Sequence, residues 1–311
     1  MRILVIGAGS IGGYFGSRLL RAGRDITFLV RPQRAAALAR IGLVIRSPRG
    51  DLDLPGPPTL TAEMLRETFD LILLSCKAYD LEDAIAAFAP AVGPQTAILP
   101  LLNGMHHLDM LDARFGADRV LGGQCLISTT LDPEGRILHL NDSHLLTYGK
   151  RNSGSSVPFE AIATVLSDAG FDARSSPEIL QEMWEKWVFI ATGAGITCLM
   201  RASVGDIVAA GGADLALALL DECAAIAASA GFPPRAAAMQ RSRDLFTAPG
   251  SGLTASMLRD IERHARTEAD HVVGDLIRRA GVHIGGTGLL RIVHTHLKAY
   301  DAREARASTR S

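Results

Sequence analysis

Three glycines near the amino terminus have the spacing of a dinucleotide-binding turn. Gly7, Gly9 and Gly12 directly follow the apolar run over residues 3–6 and precede a helical stretch. In a Gly-x-Gly-x-x-Gly turn the first glycine permits the tight bend and the second lets a pyrophosphate approach the backbone, while the third lets helix and strand pack closely. Unpaired N–H groups at the helix start then bind the phosphates. The predicted pyrophosphate-binding residues are Gly7, Gly9, Ser10, Ile11 and Gly12.

The residue type at the end of the second predicted strand distinguishes NADPH from NADH. Sites for NADH carry Asp or Glu there, about 20 residues after the glycine turn, to bind the ribose 2′-hydroxyl. This chain instead has Arg31, with Arg34 one turn further. A guanidinium suits the dianionic 2′-phosphate, which a carboxylate would repel. The sequence therefore favours NADPH, with a solvated arginine at a strand end as the alternative interpretation of Arg31.

The elements that must position these residues form two predicted domains, since 311 residues exceed what a single core usually holds. In the first half, apolar runs alternate with helical stretches, which is typical of βαβ units and a largely parallel sheet. Predicted strands cover residues 2–6, 25–30, 70–75 and 96–101, and predicted helices cover 11–22 and 81–89. Antiparallel strands follow over 120–149, then a helix over 158–169 and a short strand.

The second half is almost entirely helical in pattern. Predicted helices cover residues 177–200, 213–230, 255–280 and 288–301. The predicted fold class is therefore α/β, with an N-terminal Rossmann-type doubly wound sheet and a C-terminal all-helical domain. We place the cofactor domain at residues 1–172 and the helical substrate domain at residues 173–311.

Composition argues against several other classes of function. A net charge of -1 and 5% aromatic residues give no attraction to nucleic acid and no stacking surface for its bases. No uncharged apolar run approaches the ~20 residues of a membrane span. The histidines and carboxylates over residues 264–271 lack zinc-site spacing, so no metal is predicted. The sequence predicts a cytoplasmic protein without nucleic-acid or membrane partners.

Six further motifs resemble the ketopantoate reductase (2-dehydropantoate 2-reductase) family. They occupy residues 12–16 (GGYFG), 75–79 (SCKAY), 102–105 (LNGM), 184–186 (WEK), 256–261 (SMLRDI) and 266–270 (RTEAD). Their order and spacing match the family from residue 3 to about residue 275. The resemblance implies an NADPH-dependent reductase of a small 2-oxo acid, with its active site between the two domains.

The resemblance also implies roles for individual residues. In the first half, Lys77 would contact the cofactor, Asn103 would contact both cofactor and substrate, and Ser128 would lie beside the cofactor. In the second half, Ser256 would contact the substrate and Glu268 the ribose of the cofactor. Twelve residues of one straight helix span ~18 Å, so Ser256 and Glu268 are assigned to different ligands.

Lys186 would be the general acid of the family's reaction. Hydride addition to a ketone builds negative charge on the oxygen, which a nearby ammonium group can stabilise and protonate. The structural alternative is an ion pair with Glu182, which lies one turn earlier on the same predicted helix.

The sequence departs from the family where asparagines would hold the substrate. The corresponding positions after Lys186 are Ile190, Ala194 and Val204. The substrate is therefore either ketopantoate, reduced to pantoate for pantothenate biosynthesis, or a more apolar 2-oxo acid. Arg201 is predicted to bind the substrate carboxylate, with a surface arginine as the alternative. A non-catalytic NADP(H)-binding sensor is the rival outside enzymes, and apolar surface on the helical domain is compatible with a homodimer.

Overall fold

The computed structural model describes residues 1–280 and 288–308. Its contacts divide the chain into two compact units. The first unit comprises Met1–Leu102 and His107–Leu180, and the second comprises Asn103–His106 and the described residues from Gln181 onward. The strands are β1 (Arg2–Ile6), β2 (Asp25–Leu29), β3 (Leu43–Arg46), β4 (Leu52–Leu54), β5 (Thr59–Leu60), β6 (Phe69–Leu74), β7 (Val92–Pro100), β8 (Gly122–Leu131), β9 (Ile137–Gly149) and β10 (Asp172–Ser175).

The helices complete the inventory of elements. They are α1 (Ser10–Arg21), α2 (Pro32–Ile41), α3 (Leu81–Phe88), α4 (His106–Phe115), α5 (Phe159–Leu166), α6 (Ile179–Met200), α7 (Val204–Ala209), α8 (Ala213–Ser229), α9 (Ala236–Phe246), α10 (Ser256–Glu262), α11 (Asp275–Arg279) and α12 (Leu289–Ser308). None of these described helices is long and apolar enough to cross a bilayer.

A five-stranded sheet carries the glycine turn. Its strand order is β5-β2-β1-β6-β7, and every neighbouring pair is parallel. The central strands are continuous apolar runs whose side chains are buried on both faces, as in residues 3–5 of β1 and 71–74 of β6. Such runs are typical of a parallel sheet covered by other elements on each side. The predicted Rossmann-type arrangement is confirmed.

A second sheet completes the first unit. The predicted antiparallel strands over residues 120–149 form the β8–β9 hairpin. The other neighbours of β9 are β3 and β10, and both pair with it in parallel. Because β10 is hydrogen-bonded to β9, residues 172–175 belong to the first unit. The division therefore falls at Leu180 and Gln181, inside the first turn of α6 and later than the predicted boundary at residue 172.

The second unit is helical, but the predicted helix over residues 255–280 is wrong. The chain leaves α10 at His264, whose φ of 56° is left-handed. The N–H and hydroxyl of Thr267 then bind the Asp301 carboxylate of α12, at 3.1 and 2.8 Å. A π-helical turn over Asp270–Gly274 leads into α11. The Thr267 N–H, which a continuous helix would bond to one of its own carbonyls, is thus bonded to α12 instead. Ser256 and Glu268 therefore do not lie on one straight helix.

Candidate active site

The glycine turn has the backbone geometry that its spacing predicts. Gly7 lies at the end of β1 with a φ of 88°, and its N–H donates to the Leu29 carbonyl of β2 at 2.9 Å. A Cβ added to Gly12 would overlap the Ser75 hydroxyl oxygen and the Gly7 carbonyl oxygen. Only glycine therefore lets α1 start this close to β1 and β6.

The start of α1 suits a phosphate group. Gly9 precedes the helix in an extended conformation, and no side chain of the described chain caps it. The first intrahelical bond runs from the Gly13 N–H to the Gly9 carbonyl, so the N–H groups of residues 10–12 have no partner within the helix. A Cβ added at Gly9 would meet no atom within 4 Å. Open backbone, unpaired donors and the positive end of the helix dipole fit a dinucleotide pyrophosphate.

Arg34 holds the glycine turn in place. Its Nε and one terminal nitrogen donate to the Ala8 carbonyl at 3.1 and 2.9 Å, and the same terminal nitrogen reaches the Gly135 carbonyl at 3.2 Å. Burial lowers the pKa of this half-buried guanidinium. Arg34 therefore links the turn to the tip of the β8–β9 hairpin, a structural role that the sequence did not reveal.

Arg31 follows the second strand of the parallel sheet, where the 2′-phosphate of a bound NADPH would lie. It precedes α2 just after β2, and its side chain is 70% exposed. One terminal nitrogen donates to the Asp80 carboxylate at 2.9 Å. This hydrogen bond and the charge of Asp80 raise the pKa of Arg31. The guanidinium is thus exposed but already paired.

The other predicted cofactor residues of the first unit lie on different elements. Lys77 is partly buried and precedes a short 3-10 turn over Ala78–Asp80, directly after β6. Lys77 and Arg31 therefore follow the carboxyl ends of the two strands that flank β1, where parallel sheets bind ligands. Ser128 is partly buried in β8 at a break in the β8–β9 register, and its N–H donates to the Asn141 side-chain oxygen at 2.9 Å.

In the second unit, three segments that are distant in sequence meet around α6. The Trp187 indole donates to the Val272 carbonyl at 2.8 Å, next to Lys186 in the chain. Gly104 has a φ of 78°, and an added Cβ would lie 2.9 Å from the His271 carbonyl. Asn103 and Lys186 are therefore carried by segments that contact the same π-helical turn. Both side chains are partly buried.

Glu268 and His271 place two titratable side chains at this turn. The Glu268 carbonyl accepts the N–H groups of His271 and Val272, so the partly buried glutamate begins the turn. Burial lowers the pKa of His271, and the nearby Glu268 carboxylate opposes that shift. The imidazole ring packs against the His106 ring at 5.8 Å. His271 appeared in the sequence only as one of several charged neighbours, although its spacing from Glu268 is that of one helical turn.

The structure places Ser256 far along α6 from Lys186. Ser256 is exposed at the start of α10, and the preceding N–H of Ala255 donates to the Thr197 hydroxyl of α6 at 3.3 Å. Thr197 follows Lys186 by three helical turns, or ~16 Å. Ile190 and Ala194 share the intervening face at i+4 spacing. Ala194 and Val204 are each 1% exposed, so the predicted apolar positions are closely packed.

Arg201 has a structural partner. It follows α6 in a left-handed conformation, and its Nε and one terminal nitrogen each lie 2.8 Å from the same carboxylate oxygen of Glu262 in α10. Both side chains are substantially exposed. A substrate carboxylate at Arg201 would therefore have to displace Glu262. Among the described residues, no group of histidine, cysteine and carboxylate side chains has the arrangement of a metal site.

Comparison with known proteins covers both units. The sequence-family model for ketopantoate reductase PanE/ApbA matches residues 3–153. The family model for the ketopantoate reductase PanE/ApbA C terminal matches residues 178–301. The uncharacterized oxidoreductase YkpB of Bacillus subtilis is 35% identical over 305 residues, covering 98% of this chain and all of the relative.

Solved structures share the fold along nearly the whole chain. The 2-dehydropantoate 2-reductase from Geobacter metallireducens has a TM-score of 0.85 at 26% identity, covering 96% of this chain and 99% of that chain. D-mandelate dehydrogenase, solved with NADH and anilino(oxo)acetate, has a TM-score of 0.87 at 20% identity and covers 98% of this chain and 100% of its own.

Proposed function

Because the chain belongs to the ketopantoate reductase PanE/ApbA family of oxidoreductases, we propose that it reduces ketopantoate to pantoate with NADPH, the step that supplies pantothenate biosynthesis. The proposal is supported by two features of the same chain: a helix start in the first unit that suits a phosphate, and segments carrying Lys186 and Asn103 that contact one turn in the second unit. A cofactor-binding sensor would need only the first of these.

The residues of the chain would divide the work as follows. The N–H groups at the start of α1 bind the pyrophosphate, and Arg31 binds the 2′-phosphate. When bound, the reduced nicotinamide supplies the hydride that adds to the keto carbon. The Lys186 ammonium stabilises the developing charge on the carbonyl oxygen and gives that oxygen its proton, which yields the 2-hydroxy acid. Asn103 orients the substrate, and Glu268 contacts the ribose.

The apolar face of α6 favours a second candidate substrate. Ile190 and Ala194 follow Lys186 at helical spacing where the family's asparagines would stand. Without these amides a site loses discrimination for a hydroxylated acid, while apolar side chains favour an apolar or aromatic one. D-mandelate dehydrogenase, whose fold is similar, was solved with an aromatic acid of that kind, anilino(oxo)acetate. A more apolar 2-oxo acid is therefore the alternative substrate of the same chemistry.

Steady-state kinetics with NADPH test this proposal. Oxidation of NADPH is followed at 340 nm with ketopantoate and with a panel of straight, branched and aromatic 2-oxo acids. Lys186→Ala should lower kcat by about 10²–10⁴, the usual worth of a positioned proton donor. Lys150→Ala is the matched control, because Lys150 is exposed in the first unit, beside the Phe159 ring. Failure of all acids to oxidise bound NADPH would refute the reductase and favour the sensor.

We further propose a cytoplasmic homodimer. Dimeric assembly is the state named for a ketopantoate reductase from Staphylococcus aureus whose fold is similar, with a TM-score of 0.81 at 21% identity. Sedimentation or light scattering of the purified chain distinguishes the dimer from a monomer.

A further inference from the structure

We propose that Asp80 sets the balance between NADPH and NADH by pairing with Arg31, and thereby limits the preference for NADPH. The inference rests on the proposed function, because it concerns the cofactor of that site. Its basis is the 2.9 Å bond between the Arg31 guanidinium and the Asp80 carboxylate. The arginine side chain is 70% exposed and the aspartate side chain 33% exposed, so both can meet a ligand.

The topology explains why these two residues meet. Arg31 follows β2, and Asp80 ends the short turn after β6. Both strands are neighbours of β1, the strand that runs into the glycine turn. The end of the second strand is where a dinucleotide's adenosine ribose is read. Asp80 therefore brings a carboxylate to the place where the adenosine ribose would bind, from the strand on the other side of β1. The sequence near β2 shows only the arginine and gives no sign of this carboxylate.

Arg34, the other arginine after β2, is less available to a ligand than Arg31. Arg34 directs its donors to the carbonyls of Ala8 and Gly135 and is half buried. Asp83, in the first turn of α3, adds a second negative charge whose field reaches Arg31. A 2′-phosphate that binds Arg31 must consequently share the guanidinium with Asp80 and approach two carboxylates.

The size of the effect follows from Coulomb's law. A 2′-phosphate carries nearly two negative charges at neutral pH, and Asp80 would lie roughly 6 Å from it if both bind one guanidinium. At the dielectric constant of water this repulsion weakens NADPH binding about tenfold. The ribose 2′-hydroxyl of NADH is neutral and can donate to a carboxylate, as it does in sites that select NADH. Asp80 thus opposes one cofactor and is compatible with the other.

The isosteric variant Asp80→Asn tests the inference. Dissociation constants for NADPH, NADH, 2′,5′-ADP and 5′-ADP are measured by calorimetry at low and high salt, with thermal melting as the check on folding. The ratio of NADPH to NADH affinity should rise about tenfold, and the same rise should appear for 2′,5′-ADP over 5′-ADP. High salt should reduce the gain, because the site is exposed.

Asp83→Asn is the matched control, since it removes the same charge from a residue that acts on Arg31 only through its field. Its effect on the ratio should stay below about threefold, and Arg31→Ala should abolish the preference for the 2′-phosphate. An unchanged or lower ratio in Asp80→Asn would overturn the inference, because Asp80 would then hold Arg31 ready for the phosphate. Wild-type protein that binds neither NADPH nor NADH would instead overturn the proposed function together with this inference.

Discussion

The indole of Trp187 provides the sharpest test of how the second unit holds its π-helical turn. In Trp187→Phe the Val272 carbonyl loses the indole N–H, while the aromatic character of the site is kept. A buried carbonyl deprived of a donor costs about 1–3 kcal/mol. The smaller ring also leaves a cavity, which adds on the order of 1 kcal/mol. We expect the variant to lose about 2–4 kcal/mol of unfolding free energy.

Trp184→Phe is the matched control on the same helix. Trp184 is 4% exposed and stacks on Phe232, but its indole N–H makes no hydrogen bond within the described chain. The same loss of volume should therefore cost only the cavity contribution. We expect a difference between the two variants of about 1–3 kcal/mol, most of it from the hydrogen bond to the turn.

Urea denaturation followed by tryptophan fluorescence measures both variants. The chain has two tryptophans, and both lie in the second unit, so the remaining one reports unfolding of that unit in each variant. Trp187→Phe should also lower kcat more than Trp184→Phe, because the loosened turn is hydrogen-bonded to the Glu268 carbonyl, and Glu268 contacts the ribose in the proposed function. Equal destabilisation by the two substitutions would refute the role given to the indole hydrogen bond.

Two further predictions concern the backbone at Gly104 and a buried histidine. Gly104→Ala should lower the free energy of unfolding by at least about 1–2 kcal/mol and remove most of the activity, since its φ is 78° and the new Cβ would lie 2.9 Å from the His271 carbonyl. Gly252→Ala is the control, because a Cβ there meets no atom within 4 Å; it should leave thermal melting and activity unchanged. His144 is buried, and its ring is hydrogen-bonded to the Tyr14 hydroxyl. Burial lowers the pKa of His144 from its ordinary value of 6.5. Because the unfolded chain takes up this proton near pH 6.5 and the folded chain only at lower pH, stability should fall as pH drops below about 6.5. Denaturation between pH 7.5 and 5.5 should show a shallower loss for His144→Gln; an identical slope would contradict this assignment.

The parts of the fold that could be predicted are those with local causes. The glycine turn follows from backbone conformations that only glycine adopts easily, as at Gly7. The strands of the parallel sheet follow from apolar runs that are buried on both faces. The short strands β3, β4 and β5 were missed, because two to four residues outside an alternation of strands and helices carry too little pattern to stand out.

The features that the sequence hid depend on partners far along the chain. The break after α10 is fixed by Asp301, 34 residues beyond Thr267, while the local pattern still looks helical. Likewise, the pairing of Arg31 with Asp80 joins residues 49 positions apart. In both cases a side chain that would be solvated in an isolated segment bonds to a residue far along the chain. The pattern of apolar and polar residues along a segment carries no information about such a partner.

The two halves of the candidate site differ in what fixes them, and this bears on the choice of substrate. In the proposed function, pyrophosphate binding would depend on backbone N–H groups at the start of α1, so that part of cofactor binding would tolerate most changes of side chain outside the glycines. Substrate selection would depend on the α6 face after Lys186, where Ile190 and Ala194 present only apolar atoms. Ala194 and Val204 are packed, so single asparagines there would add volume and a buried amide together. The chain therefore cannot regain the family's amides by one substitution, and the hydride chemistry can persist while the preferred acid changes.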